Sequence, residues 1–297
     1  MDRPRRDRLM PGFLARLADG WRRALEDLLP LALVPMLLAA ANTNKVASVL
    51  TFDGVHVGFK VGAPVSVVTV WQFVSVPNEG VTVDAGVPVE TLPLAVVTVP
   101  LLLLVQAGLT AGYFGSIAAG LRTGEYDFLG NVVEHFPAFL VLTAVPVLAL
   151  LPLALGLFGL GAAGGLPAAG LLFAVALVGF VVAAYLFYAT PYLVVLRGTG
   201  VVAAARGSYE LAVEGGAYFA YFVGFALFVL VVSPVASVVV VDVPVVGLPV
   251  GVIAGGVLGL AANVATTRFV ADVDPASPDL GSWDPNDAGT DGPPRGA

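Results

Sequence analysis

LPLAVVTVPLLLLVQAGLTAGYFGSIAAGL, residues 92–121, runs for thirty residues without one charged side chain. A stretch of about 20 apolar residues already spans the hydrocarbon core of a bilayer, roughly 30 Å thick, so this segment reads as a membrane crossing. Working outward, comparable blocks lie at about 28–44, 137–160, 167–193, 217–241 and 246–270. Of the 297 residues, 58% are hydrophobic and 12% charged, against roughly 45–50% and 25% in soluble domains. The expectation is an all-α integral membrane protein, a bundle of six transmembrane helices.

The first block is the shortest, with only Leu28 to Ala41 free of charge or amide, a length that also suits a re-entrant segment. Charge bias argues for a crossing. With six spans, the N-terminal segment, the loops near 121–136 and 194–216 and the tail share one side, which carries all twelve Arg, while the other side carries only Lys45 and Lys60. That is the asymmetry of cytoplasmic and external loops, and it places both termini in the cytoplasm of a cell-membrane protein. Three regions follow: a cytoplasmic segment 1–27, a transmembrane domain 28–270, and an acidic tail 271–297, expected to be disordered because it has almost nothing to bury. The N-terminal Arg-rich stretch has no cleavage-site pattern after it and reads as retained.

Within 12–29, Phe13, Leu17, Trp21, Leu25 and Leu28 recur at spacings of three and four, the stripe of a helix lying in the membrane interface. Similar amphipathic stretches at 124–136 and 200–215 precede later hairpins of spans. The external loop 45–91 reads as strands: Val55, Val57, Phe59 and Val61 alternate with His56, Gly58 and Lys60 after an Asp53-Gly54 turn signal. The run 65–76 is apolar but too short to cross. A small extracellular β-cap is expected there, with Trp71 and Phe73 at headgroup level.

Composition removes several chemistries. There is no Cys and only His56 and His135, which excludes thiolate nucleophiles and Cys-based metal sites. No cofactor and no nucleic-acid partner is suggested; the bilayer is the first partner, with another membrane protein or a second copy as the next. Gly108, Gly112, Ser116 and Gly120, and again Gly251, Gly255 and Gly259, stand four apart, the spacing at which small residues let helices approach closely in lipid. No ionisable residue lies well inside a block, so the proton and ion relays of coupled transporters lack their residues. Gln106 and Asn263 are amides at depth, read as interhelical hydrogen bonds or, alternatively, as a polar membrane site. Glu125, Asp127, Glu134 and His135 cluster on the cytoplasmic side and read as a solvated face. Asp53 and His56 alone make too poor a ligand set for a metal.

The stretches AGYFGSIAAGLRTGEYDFLGNVVEHFPAFLVLTAV (111–145), FYATPYLVVLRGTGVVAAARGSYELAVEG (187–215) and WQFVSVP (71–77) resemble an uncharacterised group of multi-pass membrane proteins from haloarchaea. That group is distantly similar to the membrane domain fused to some glycerophosphodiester phosphodiesterases. The resemblance covers most of 12–272 and implies a six-helix fold in a salt-rich cytoplasm; no phosphodiesterase domain is present, so it implies no activity. The expected function is a non-catalytic membrane scaffold or accessory subunit. A carrier or lipid-handling protein for an uncharged or amphiphilic substrate, using Gln106 and Asn263, is the alternative.

Overall fold

A computed structural model describes residues 12–77, 92–162, 166–243 and 245–281. Among them it is helical, with no strand: α1 Phe13–Glu26, α2 Leu33–Ala40, α3 Thr43–Leu50, α4 Leu92–Thr123, α5 Phe128–Ala162, α6 Leu166–Phe187, α7 Thr190–Arg197, α8 Val201–Glu214, α9 Ala217–Asp242 and α10 Gly247–Val273. Short 3-10 turns occupy Leu29–Ala32 and Val70–Gln72. Five stretches are long and apolar enough to cross a membrane: Pro100–Thr123, Phe128–Ala149, Pro167–Arg197, Ala217–Asp242 and Gly247–Val273. The pair Leu29–Ala40 and Thr43–Leu50, bent by 71°, would make a sixth. The bend falls at Asn42, whose side chain caps α3 by accepting from the Lys45 N–H.

Local sequence explains the breaks. Pro191 stands in the first turn of α7, where a missing N–H costs nothing, and Gly198 ends that helix in the left-handed conformation at φ 61°. Pro234 sits inside α9 and deprives the Leu230 carbonyl of its usual donor. The Ser233 hydroxyl donates to that carbonyl at 3.1 Å, so the neighbouring side chain repairs the ladder.

α4 and α5 form a close antiparallel pair. A methyl group at Gly112 would stand 2.6 Å from the Phe128 ring, and one at Gly115 would stand 2.7 Å from Asn131. Gly108 faces Phe136 and Val132 more loosely, Ser116 accepts from the Asn131 amide, and Gly120 faces Leu28.

α1 packs on protein along one side. It lies against α10, with Gly20 so close that a methyl there would be 2.5 Å from the Ala261 carbonyl oxygen. Its buried residues are Arg16, Asp19, Gly20 and Ala24, while Leu14, Trp21 and Leu25 are exposed. The helix is turned so that its charged and small side meets protein, because that side finds opposite charges on α10. Phe13 reaches α9 at Tyr221, Phe225 and Phe228.

The β-cap is corrected. Residues 53–69 form no strand, and 78–91 lie outside the described residues. Val55, Val57, Phe59 and Val61 are exposed between half-buried neighbours, as the alternation predicts, but the hydrogen bonds run to α9 side chains. The run 65–76 turns inward and packs among the helices. Trp71 is buried, its indole N–H donating to the Ala39 carbonyl at 2.8 Å, and Phe73 is buried against Phe228.

Candidate functional site

The centre of the molecule is the place where residues 64–76 meet α10. Irregular backbone at membrane depth is tolerated only where protein or a wet cavity satisfies its polar groups. α10 makes room with glycine: a methyl at Gly259 would collide with the Val68 carbonyl, and one at Gly255 would stand 2.5 Å from Val70. Gly251 lies instead against Val240 of α9. The two glycines nearest the centre therefore pack on an inserted loop, not on a helix.

One turn beyond Gly259, Asn263 supplies the missing hydrogen bonds. Its Oδ1 accepts from the Val68 N–H at 2.9 Å and the Tyr113 hydroxyl at 3.1 Å. Its Nδ2 donates to the Ser66 carbonyl at 3.1 Å and the Tyr192 hydroxyl at 2.8 Å. A primary carboxamide has two donors and room for two acceptor contacts, so it is saturated. Toward Ser66 and Val68 it acts as a neighbouring strand would. Tyr192 passes the chain on, donating to the Pro64 carbonyl at 3.1 Å, and its ring meets Phe114 edge-on. Gln106 takes no part: it stands two turns before Tyr113 on α4, half-buried, and its side chain makes no hydrogen bond to a described residue.

α9 holds the other side of the insertion. The His56 N–H donates to Asp242 at 2.9 Å, the Lys60 N–H to the Ser233 hydroxyl at 2.9 Å, and the Ser75 N–H to the Ser237 hydroxyl at 2.8 Å. The Lys60 ammonium donates to the Trp71 carbonyl at 2.5 Å, and the Lys45 ammonium lies 5.9 Å from the Trp71 ring. Both lysines of the chain thus lie beside Trp71, toward the Gly255 end of α10.

Arginines gather at the other end. Arg268, 1% exposed, pairs with Asp19, which also takes Arg22 at 2.8 Å and Arg23 at 3.3 Å. Arg16 pairs with Asp272 at 3.2 Å and covers the Phe269 ring. Arg197 grips Asp274 through both nitrogens, at 2.8 and 2.5 Å. Burial alone would raise the Asp274 carboxyl, but bonds from Arg197, Ser277 and the Ala276 N–H outweigh it, and the group is held below the usual carboxylate range. These contacts, with Arg268 donating to the Gly281 carbonyl, order the chain to residue 281, beyond the point where the tail is expected to lose structure. Sequence reasoning misses Arg268 because it stands two residues from the end of its apolar block; the available signal is an Arg one turn before Asp272, opposite a helix carrying Asp19.

The carboxylates between α4 and α5 are only partly assembled. Glu125, Asp127 and Glu134 line a shallow cleft of 510 Å³, and His135 lines another of 720 Å³ between α5 and the α7–α8 turn, with Glu134 at its edge. Among the described residues, no group of three His, Asp or Glu is placed to hold a metal ion. Arg206 and Glu210 form an exposed pair at 3.0 Å.

Comparison of the chain with protein-family models, with curated proteins and with solved structures gives no match.

Proposed function

We propose that the chain is a six-span cell-membrane protein with both termini in the cytoplasm, acting as a non-catalytic scaffold or accessory subunit. The observation that carries this reading is the saturation of Asn263: every hydrogen-bonding position of the amide is engaged by Val68, Ser66, Tyr113 and Tyr192. A carrier built on Gln106 and Asn263 needs both amides facing a shared space, whereas here one braces the fold and the other makes no bond to it. Arg16, Arg197 and Arg268 gather at the Arg268–Asp274 end of α10, whereas Lys45 and Lys60 lie beside Trp71, nearer Gly255, and this asymmetry supports the orientation. Kinship with the haloarchaeal multi-pass group belongs to the same reading.

The test is purification of the tagged protein from its native membrane in mild detergent at high salt, with mass spectrometry of bound proteins and lipids. A different protein present in stoichiometric amount is the expected result. Transport of a solute or lipid by the pure protein in vesicles, abolished by replacing Gln106 and Asn263 with Leu in a variant that still folds, would overturn the reading.

A further inference from the structure

α8 starts without a side-chain cap. Gly200 precedes it at φ −69° and ψ 161°, the extended geometry of an N-cap, but has no side chain to offer. The Ala204 N–H reaches back to the Gly200 carbonyl, whereas the N–H groups of Val201, Val202 and Ala203 make no hydrogen bond to a described residue. These three residues border the 720 Å³ cleft between α5 and the α7–α8 turn. Open N–H groups at the start of a helix favour an anion beside them.

An independent feature faces them across the cleft. His135 of α5 is 7% exposed, and it lines this cleft but not the neighbouring one around Glu125 and Asp127. Its imidazole makes no hydrogen bond to a described residue, and Nε2 lies 4.0 Å from the Glu134 carboxylate, beyond hydrogen-bond reach. The Thr199 hydroxyl, in the turn before α8, is buried without a partner. Buried polar groups are ordinarily paired, and imidazole, hydroxyl and helix start all call for the same partner, a group rich in acceptors. Glu134 is the acid on this lining, and its side chain is 68% exposed, so it is free to turn to water.

The rest of the wall is apolar. Pro137, Ala138 and Val141 line it. Val145 and Leu148 continue the face of Val141 along α5 at spacings of four and three, the three being 46%, 54% and 65% exposed. Asp127, just before α5, is exposed, and His135 stands about 12 Å further along the helix. In a bilayer that is close to the depth where headgroups give way to acyl chains.

We propose that this cleft binds a membrane lipid with an anionic phosphate headgroup. The phosphate oxygens accept from the first turn of α8 and from His135, and one acyl chain follows Val141, Val145 and Leu148. That apolar track favours a lipid over free phosphate, which gains nothing from it. The inference rests on the bilayer-crossing reading and stands apart from the scaffold role.

Gly200→Asp tests it without unfolding the chain. A Cβ at Gly200 meets nothing within 4 Å, and a carboxylate there caps the same N–H groups. The variant should therefore keep or raise its unfolding midpoint while excluding the headgroup. Full-length protein in non-ionic detergent is titrated with dioleoyl phosphatidylglycerol, with dioleoylglycerol and with inorganic phosphate, and affinity is read from the rise of the unfolding midpoint. Phosphatidylglycerol should bind about tenfold more tightly than either other probe, and about tenfold more weakly to Gly200→Asp and to His135→Phe. Glu134→Gln should tighten binding about twofold by removing a like charge. Equal binding to the wild-type and Gly200→Asp chains, or no preference over dioleoylglycerol, overturns the site. Inorganic phosphate binding as tightly as the lipid overturns the lipid assignment.

Discussion

α6 and α10 are both apolar enough and, at 22 and 27 residues, long enough to span a bilayer, yet they are used in opposite ways. α6 turns Leu171, Val175, Val178 and Val182 outward, each at least half exposed. α10 is buried at every residue from Gly259 to Ala271. The first meets a solvent that asks only for hydrocarbon, and its side chains are nearly interchangeable. The second must accept a length of non-helical backbone, and glycine, asparagine and arginine stand at the contact points. The specificity of this chain is therefore concentrated where backbone polar groups are buried without a helix or sheet to pair them.

The largest effect is expected at Asn263. Asn263→Leu leaves the Val68 N–H and Ser66 carbonyl buried without partners, a loss of about 4 kcal/mol at roughly 1–3 per group plus the two tyrosine bonds. Thermal unfolding in detergent should show it, and an unchanged midpoint would break the contrast with α6. Asp19→Ala comes next: it removes the carboxylate paired with the buried Arg268, at a cost of about 3 kcal/mol, and α1 should become sensitive to proteolysis.

Acid supplies a smaller, conditional effect. The Asp274 pKa is lowered in the folded protein, so its stabilisation is complete above the ordinary carboxylate value near 4 and is lost as pH falls through the lowered value. Stability should be flat for this group between pH 7 and about 5 and fall below about 4. In Asp274→Asn the acid-dependent part of the decline should shrink, as measured by unfolding midpoints across pH. The smallest effect is expected on α6, where Leu171→Ala should change stability by less than about 0.5 kcal/mol. A loss as large as that at Asn263 would mean that this face is covered.

The spans are legible in the sequence because a bilayer demands length and apolarity and little else. The blocks at 217–241 and 246–270 differ from α9 and α10 by no more than three residues at any end. The loop is not legible in the same way. A period of two in 55–61 reports extended chain with one covered face, and that signal is identical whether the neighbour is a strand or, as here, Asp242, Ser233 and Ser237 of a helix. Gly255 and Gly259 announce close approach without saying of what. Asn263 is visible as a deep amide, but its partners lie at Ser66 and Val68, a separation over which no spacing in the sequence carries information. The apolar stripe of α1 divides: Phe13, Leu17 and Leu28 pack inward while Trp21 and Leu25 are exposed, and the stripe gives no sign that Arg16 and Asp19 are buried against opposite charges on α10.

The most direct test is a scan of single cysteines through residues 64–76 in sealed vesicles, each challenged with a water-soluble maleimide. Protection is expected at Val67, Val68, Val70, Val74 and Val76, all buried, with a sharp rise in labelling at position 68 when Asn263→Leu is added. Labelling of every second position from 65 to 76, as in a strand with one face in water, would contradict an inserted loop braced by Asn263.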